Sequence, residues 1–114
     1  MRDFRKLEVW QQSMVLVNRV YDVVDKFPKN EMYGISQQIQ RCSVSIPSNI
    51  AEGCSRKSEK EFSRYLQIAL GSSFELETQL LIATKRKYFE DKALFELLTI
   101  VQKRLNKLNQ VLTK

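Results

Sequence analysis

Apolar residues recur at alternating steps of three and four along almost the whole chain, and only three glycines and two prolines interrupt them. That spacing is the period of one helix face, and no alternating, strand-like stretch competes with it. In the first run it predicts a seam of Leu7, Trp10, Met14, Val17, Tyr21 and Val24, reaching Phe27 and stopping at Pro28, because the residue before a proline is pushed out of the α region. A second helix is expected to begin between Glu31 and Ser36, with Ile35, Ile39, Cys42, Ile46 and Ile50 on one face. It should end near Gly53, in the left-handed position that suits glycine. Ser58 and Glu61 stand at capping-box spacing and open a third helix whose seam is Phe62, Leu66, Ala69, Ser73, Leu76, Leu80 and Ala83. Asp91 is a good N-cap for a fourth, carrying Leu94, Leu98, Val101, Leu105, Leu108 and Leu112. Runs of similar length joined by short loops place neighbours antiparallel. The expected fold is therefore all-α, an antiparallel up-down-up-down four-helix bundle forming one domain over residues 1–114.

Composition narrows what such a bundle can do. With 43% hydrophobic and 28% charged residues the chain has the balance of a soluble globular protein. Its longest apolar runs, Met14–Val17 and Leu80–Ala83, fall far short of the ~20 residues that cross a bilayer. The first ten residues contain no apolar signal core, so the expected location is the cytoplasm, with no membrane partner. Cys42 and Cys54 are twelve positions apart, about 18 Å along one helix, too far for a disulfide. They are expected to be separate reduced thiols serving as small core residues. Histidine is absent, which removes the commonest general base and metal ligand. Two distant cysteines cannot build a zinc site, and neither a Gly-rich phosphate loop nor a G-x-S-x-G elbow is present. No catalytic residue, metal or cofactor is assigned, and the chain is read as non-enzymatic.

The net charge is +6, from 19 basic and 13 acidic residues. Folded as this bundle, the chain gathers its termini and second loop at one end. That end holds Arg2, Arg5, Lys6, Arg56, Lys57, Lys60, Arg64, Lys103, Arg104, Lys107 and Lys114, against Asp3, Glu8, Glu52, Glu59 and Glu61. It carries the whole excess, and the opposite end is neutral. Arg56, Lys60 and Arg64 recur at steps of four and share a face. The candidate contact residues are Arg56, Lys57, Lys60 and Arg64, with Arg5, Lys103 and Lys107 behind them. A basic end attracts polyanions by counterion release, but it equally suits an acidic protein or an anionic membrane surface, or is simply a solvated face. Lys85-Arg86-Lys87 is separate, closing the third helix where cations favour the helix dipole.

One segment breaks the helix rules. Arg41–Arg56, RCSVSIPSNIAEGCSR, holds a proline, four serines and a glycine inside a predicted helix. Pro47 removes the hydrogen bond to the Ser43 carbonyl, so a bend is expected near Ser43–Pro47, with Trp10 beside it. Arg41, Ser45, Asn49 and Glu52 share a polar face that meets either solvent or a second interface. Antiparallel pairing sets Arg41 level with Glu75, and Gly71-Ser72-Ser73 opposite Ser43 and Ser45. Small residues allow close approach, and a helix-interior glycine costs ~1 kcal/mol against alanine. Gly71 is therefore expected to mark close packing or a contact surface. Arg41 is expected to pair with Glu75 or Glu77, within a subunit or across a boundary.

The runs FPKNEMYGISQQIQR, SIPSNIAEG and SRKSEKEFSRYLQIALGSSFELETQL resemble the 23S rRNA intervening-sequence protein family, over roughly Phe4 to Leu112. The resemblance implies a bacterial four-helix bundle, often labelled ribosomal-protein-like and encoded within 23S rRNA genes or as a free-standing gene. Relatives form five-fold rings, so a homo-oligomer, specifically a pentamer, is implied. A related protein, the accessory variability factor of diversity-generating retroelements, has a basic surface and works with a reverse transcriptase and RNA. By position, Arg41, Ser45, Pro47, Asn49, Glu52, Gly53, Gly71 and Glu75 carry the structural or interface motif, and no catalytic residues are implied. One departure is the missing second basic residue beside Arg41, which Gln40 and Cys42 flank. The expected role is binding of RNA or another nucleic acid through phosphates at the basic end, without base-specific readout, with a nucleic-acid-processing protein as a further partner. The alternative is a protein–protein interaction scaffold whose charge is incidental.

Overall fold

The computed structural model describes residues 2–113. Its helices are α1 (Glu8–Val24), α2 (Ile35–Cys54), α3 (Glu59–Lys85) and α4 (Lys92–Leu112), with single 3-10 turns at Phe4–Lys6 and Lys29–Glu31. Consecutive helices pack against each other and α1 closes on α4, α2 and α3 sharing the most extensive pairing. No strand occurs among the described residues. The bundle is 44 Å long and about half as wide.

The starts of α3 and α4 are set by the expected residues, whereas α1 ends at Val24, short of the expected Phe27, and α2 ends at Cys54. Ser58 Oγ accepts from the Glu61 N–H at 3.1 Å, and Asp91 Oδ1 accepts from the Leu94 N–H at 3.0 Å. The α3 terminus is a Schellman motif. Tyr88 N–H reaches the Ala83 carbonyl at 3.0 Å and Lys87 N–H reaches Thr84 at 2.9 Å, with Lys87 in the left-handed conformation at φ 64° where glycine is usual. The run Lys85-Arg86-Lys87 thus ends α3 as expected. Asp91 also holds Arg19 of α1 through both carboxylate oxygens, at 3.1 and 3.0 Å, tying α1 to the start of α4.

Three of the four seams lie where the spacing put them. All seven expected α3 residues are buried, as are Ile39, Cys42, Ile46 and Ile50 of α2 and Leu94, Leu98, Val101 and Leu105 of α4. The α1 seam is displaced. Its inward side is Val9, Ser13, Leu16, Val20 and Val23, whereas Met14 and Tyr21 stay 38% and 42% exposed and Leu7, Trp10 and Val17 are half-buried. Of the expected run only Val24 and Phe27 are buried. The physical reason is that α1 carries two adjacent apolar stripes, and helical spacing alone cannot say which one the other three helices cover.

The rule-breaking segment also differs in part. α2 runs unbroken through Pro47, whose ring is buried and lines a groove with Trp10. Gly53 is not a left-handed cap, since no glycine has positive φ among the described residues. It lies inside α2, where an added Cβ would sit 2.8 Å from Tyr65 Cβ and 2.9 Å from Phe62 Cδ1. Glycine is there because α2 and α3 approach too closely for any side chain.

The chain start and the α2–α3 loop meet at one end. The Arg2 N–H donates to the Cys54 carbonyl at 3.2 Å, and Arg104 near the α4 end pairs with Glu8 at 2.6 Å. Lys114, counted at this end from the sequence, lies outside the described residues. The opposite end is closed by an aromatic cluster of Phe27, Tyr88, Phe89 and Phe95.

Candidate nucleic-acid interface

The basic end divides into two halves. On the side of α2 and the chain start, the arginines are held by acids and rings. Arg2 meets Glu59 at 3.5 Å and lies over the Phe62 ring. Arg5 meets Asp3 at 3.2 Å and covers Phe4. Arg56 bonds Glu52 at 3.1 Å and the Tyr65 hydroxyl at 2.7 Å and stacks over the Tyr65 ring. The Tyr65 oxygen and then the Glu52 carboxylate raise its pKa further. Exposed pairs of this kind add little stability because solvent screens them, yet they cancel local charge. Of the expected contact residues, Arg5 and Arg56 are the two that already hold acidic partners within the chain.

The rest stay unneutralised. Among the described residues, Lys57, Lys60, Arg64, Lys103 and Lys107 have no acidic group within 4.0 Å, and neither does Lys6. Lys60 and Arg64 lie along the flank where α3 and α4 run antiparallel, Lys103 is exposed on α4, and Lys107 lines a separate groove between α4 and α1 with Leu7, Glu8 and Val9. Ser63 Oγ donates to Asn109 Oδ1, Gln67 Nε2 donates to Ser63 Oγ at 3.2 Å, and Gln102 Nε2 donates to Glu77 Oε1 at 2.8 Å. This stitching sets Lys107 level with the Arg64 turn and Lys103 one turn further from the basic end. An open furrow of about 630 Å³ runs here, lined by Lys60, Glu61, Ser63, Arg64, Gln67, Leu112 and Thr113. From Leu97 to the chain end α4 contains no acidic residue. The flank offers mobile cations and amide donors, a chemistry that suits phosphate oxygens.

The motif residues on α2 and α3 form a second, separate furrow. Gln38, Arg41, Cys42, Ser45, Ser72 and Glu75 line a space of about 400 Å³. The expected Arg41 pairing does not occur within the chain. Arg41 is exposed and has no ion-pair partner among the described residues. Glu75 instead accepts from Gln79 at 3.3 Å, and Glu77 is engaged by Gln102. Ser45 Oγ and Asn49 Nδ2 donate to carbonyls of their own helix, Cys42 and Ser45, both at 2.7 Å, which partly satisfies this polar face from within. The Cys42 thiol donates to the Ser72 carbonyl at 3.0 Å, and burial, then the Glu75 carboxylate, pushes its pKa up to about 12. Burial likewise pushes the Cys54 thiol up. Both thiols are free and buried. Of the two roles expected for Gly71, close packing within the chain does not occur, because nothing lies within 4 Å of the position a Cβ would take, and a contact surface is the one that remains.

A third surface was not anticipated. The displaced α1 stripe forms a groove of about 390 Å³ against α2, lined by Phe4, Trp10, Met14, Val17, Val44, Pro47, Ser48 and Ala51. The signal was the doubled apolar stripe on α1, one more than a bundle core can use. The Glu52–Arg56 pair was equally visible, as an i, i+4 spacing.

Among the described residues no group of three or more His, Cys, Asp or Glu could hold a metal ion, and no helix is long and apolar enough to cross a membrane. Residues 5–110 match a family model described as 23S rRNA-intervening sequence protein. No curated protein matches the chain.

Proposed function

The chain belongs to the 23S rRNA-intervening sequence protein family, and from that premise we propose a non-enzymatic, cytoplasmic, homo-oligomeric protein that binds RNA or another nucleic acid along its α3–α4 flank. The observation that carries this reading is the segregation of charge. The arginines on the α2 side of the basic end are matched to acids, while Lys60 and Arg64 stand unmatched beside one furrow and Lys103 and Lys107 stand unmatched on the neighbouring α4. Counterion release makes an unmatched cluster favourable for a polyphosphate, and the absence of acid along the second half of α4 removes the repulsion that would oppose it.

Assembly would multiply that cluster. The α1–α2 groove is apolar and open, with Val44 at its rim 39% exposed, and burying such a surface against a second copy would stabilise an oligomer. The family resemblance points to five copies. Several linked basic flanks raise avidity without any new kind of contact. The alternative, a protein-interaction scaffold, draws on the same groove and on the α2–α3 furrow, where Arg41 is left without a partner.

Filter or fluorescence binding of RNA at low salt tests the reading. The wild type binds, Lys60→Glu with Arg64→Glu abolishes binding, and Arg5→Glu leaves most of it. RNA binding that is absent at low salt, or unchanged by the α3 reversals, refutes it.

A further inference from the structure

We infer that the nucleic acid taken by this flank is single-stranded, with a base stacked on Phe74. The inference rests on the nucleic-acid reading above and adds to it the strand form and a contact residue. The outward stripe of α3 continues from the unmatched cations at steps of three and four, through Lys60, Arg64, Gln67, Gly71 and Phe74. Phe74 is 53% exposed and pairs with no other ring among the described residues. It stands ten residues beyond Arg64, about 15 Å along the helix axis, with Lys103 of α4 beside the intervening turn.

Gly71 lies one turn before that ring. It is exposed, and a Cβ added there would meet nothing within 4 Å, so internal packing gives no reason for glycine. Bare backbone next to an exposed ring leaves room for a flat group to lie against the helix. The stripe therefore presents charge first and an aromatic platform second. This is the combination by which single strands are held, phosphates on cations and bases on π-faces. A duplex keeps its bases stacked on one another and presents only phosphates to such a surface, so it can use the cations but not Phe74.

The test compares a labelled RNA of about ten uridines with the same strand annealed to its adenosine complement, at low salt, on the full chain. Phe74→Ala is expected to weaken single-strand binding about 5- to 150-fold, the range for one stacked base, and to leave duplex binding unchanged. Gly71→Leu, at a solvent-facing helix site, should keep the fold by circular dichroism and weaken the single strand selectively. Equal losses for both strand forms overturn the inference while leaving the nucleic-acid reading standing. A Phe74→Ala protein that sediments as a smaller species with both affinities changed also overturns it, since Phe74 would then belong to a subunit contact. If neither strand form binds the wild type, both readings fall together.

Discussion

Gly53 and Gly71 both sit inside helices, and the structure predicts opposite outcomes for the same substitution. At Gly53 a methyl group would lie 2.8 Å from Tyr65 Cβ and 2.9 Å from Phe62 Cδ1. Neither neighbour can yield cheaply, because one atom is anchored to the α3 backbone and the other belongs to a ring with no exposed surface. Overpacking of this kind costs about 2–3 kcal/mol, the upper part of the usual range. Alanine recovers about 1 kcal/mol of helix propensity, so Gly53→Ala should destabilise the protein by about 1–2 kcal/mol, or roughly 4–8 °C in Tm for a chain of this size. At Gly71 no atom opposes the methyl group, and only the propensity gain remains. Gly71→Ala should stabilise by about 0.5–1 kcal/mol. Urea and thermal melts followed by far-UV circular dichroism measure both. A neutral or stabilising Gly53→Ala would mean that α2 and α3 are further apart than described. A destabilising Gly71→Ala would mean that something covers that turn in the folded protein.

Asp91 both caps α4 and holds Arg19. Asp91→Ala should cost about 1–2 kcal/mol in a urea melt, and Asp91→Asn, which keeps the cap and loses the charge, should cost well under half of that. The Cys42 thiol is held protonated up to about pH 12 against 9.0 for a free group, so native protein should resist iodoacetamide at about pH 9, where a free thiol is largely reactive. Across the same interval the unfolded chain releases this proton while the folded chain keeps it, so stability falls as pH rises from 9 towards 12. Cys42→Ala should flatten that fall in urea melts across the range. Val44→Glu places a charge in the α1–α2 groove, on a side chain already facing solvent. It should leave the melt of the isolated chain within about 0.5 kcal/mol and shift sedimentation towards the monomer, and an unchanged oligomer would exclude that groove as the subunit contact.

Where a helix has one apolar stripe, its spacing located the core to the residue, as in α3 from Phe62 to Ala83. α1 defeated the same reasoning because Trp10, Met14 and Val17 repeat as regularly as Val9, Ser13 and Leu16. Only the three-dimensional arrangement of the other helices chooses between the two sets. Capping at Ser58 and Asp91 was legible because it depends on residues three apart. Gly53 was read as a left-handed cap and proved a close contact, and Gly71 has open space where close packing was one expectation, since a glycine records that a side chain is unwanted without recording why. The basic end was legible as a sum of charges. Which cations were free was not, because Arg2 finds Glu59 and Arg104 finds Glu8 only across the fold.

The central claim is that the unmatched cations of α3 and α4, and not the basic end as a whole, contact nucleic acid. The salt dependence of binding to single-stranded RNA tests it most directly, because each phosphate contact adds about 0.7 to the slope of log K against log salt. Changing Lys60, Arg64, Lys103 and Lys107 together to Gln should lower that slope by about 3. The same change at Arg2, Arg5 and Arg104 should leave it nearly unaltered. Equal losses from the two sets, or no loss from the first, would contradict the account.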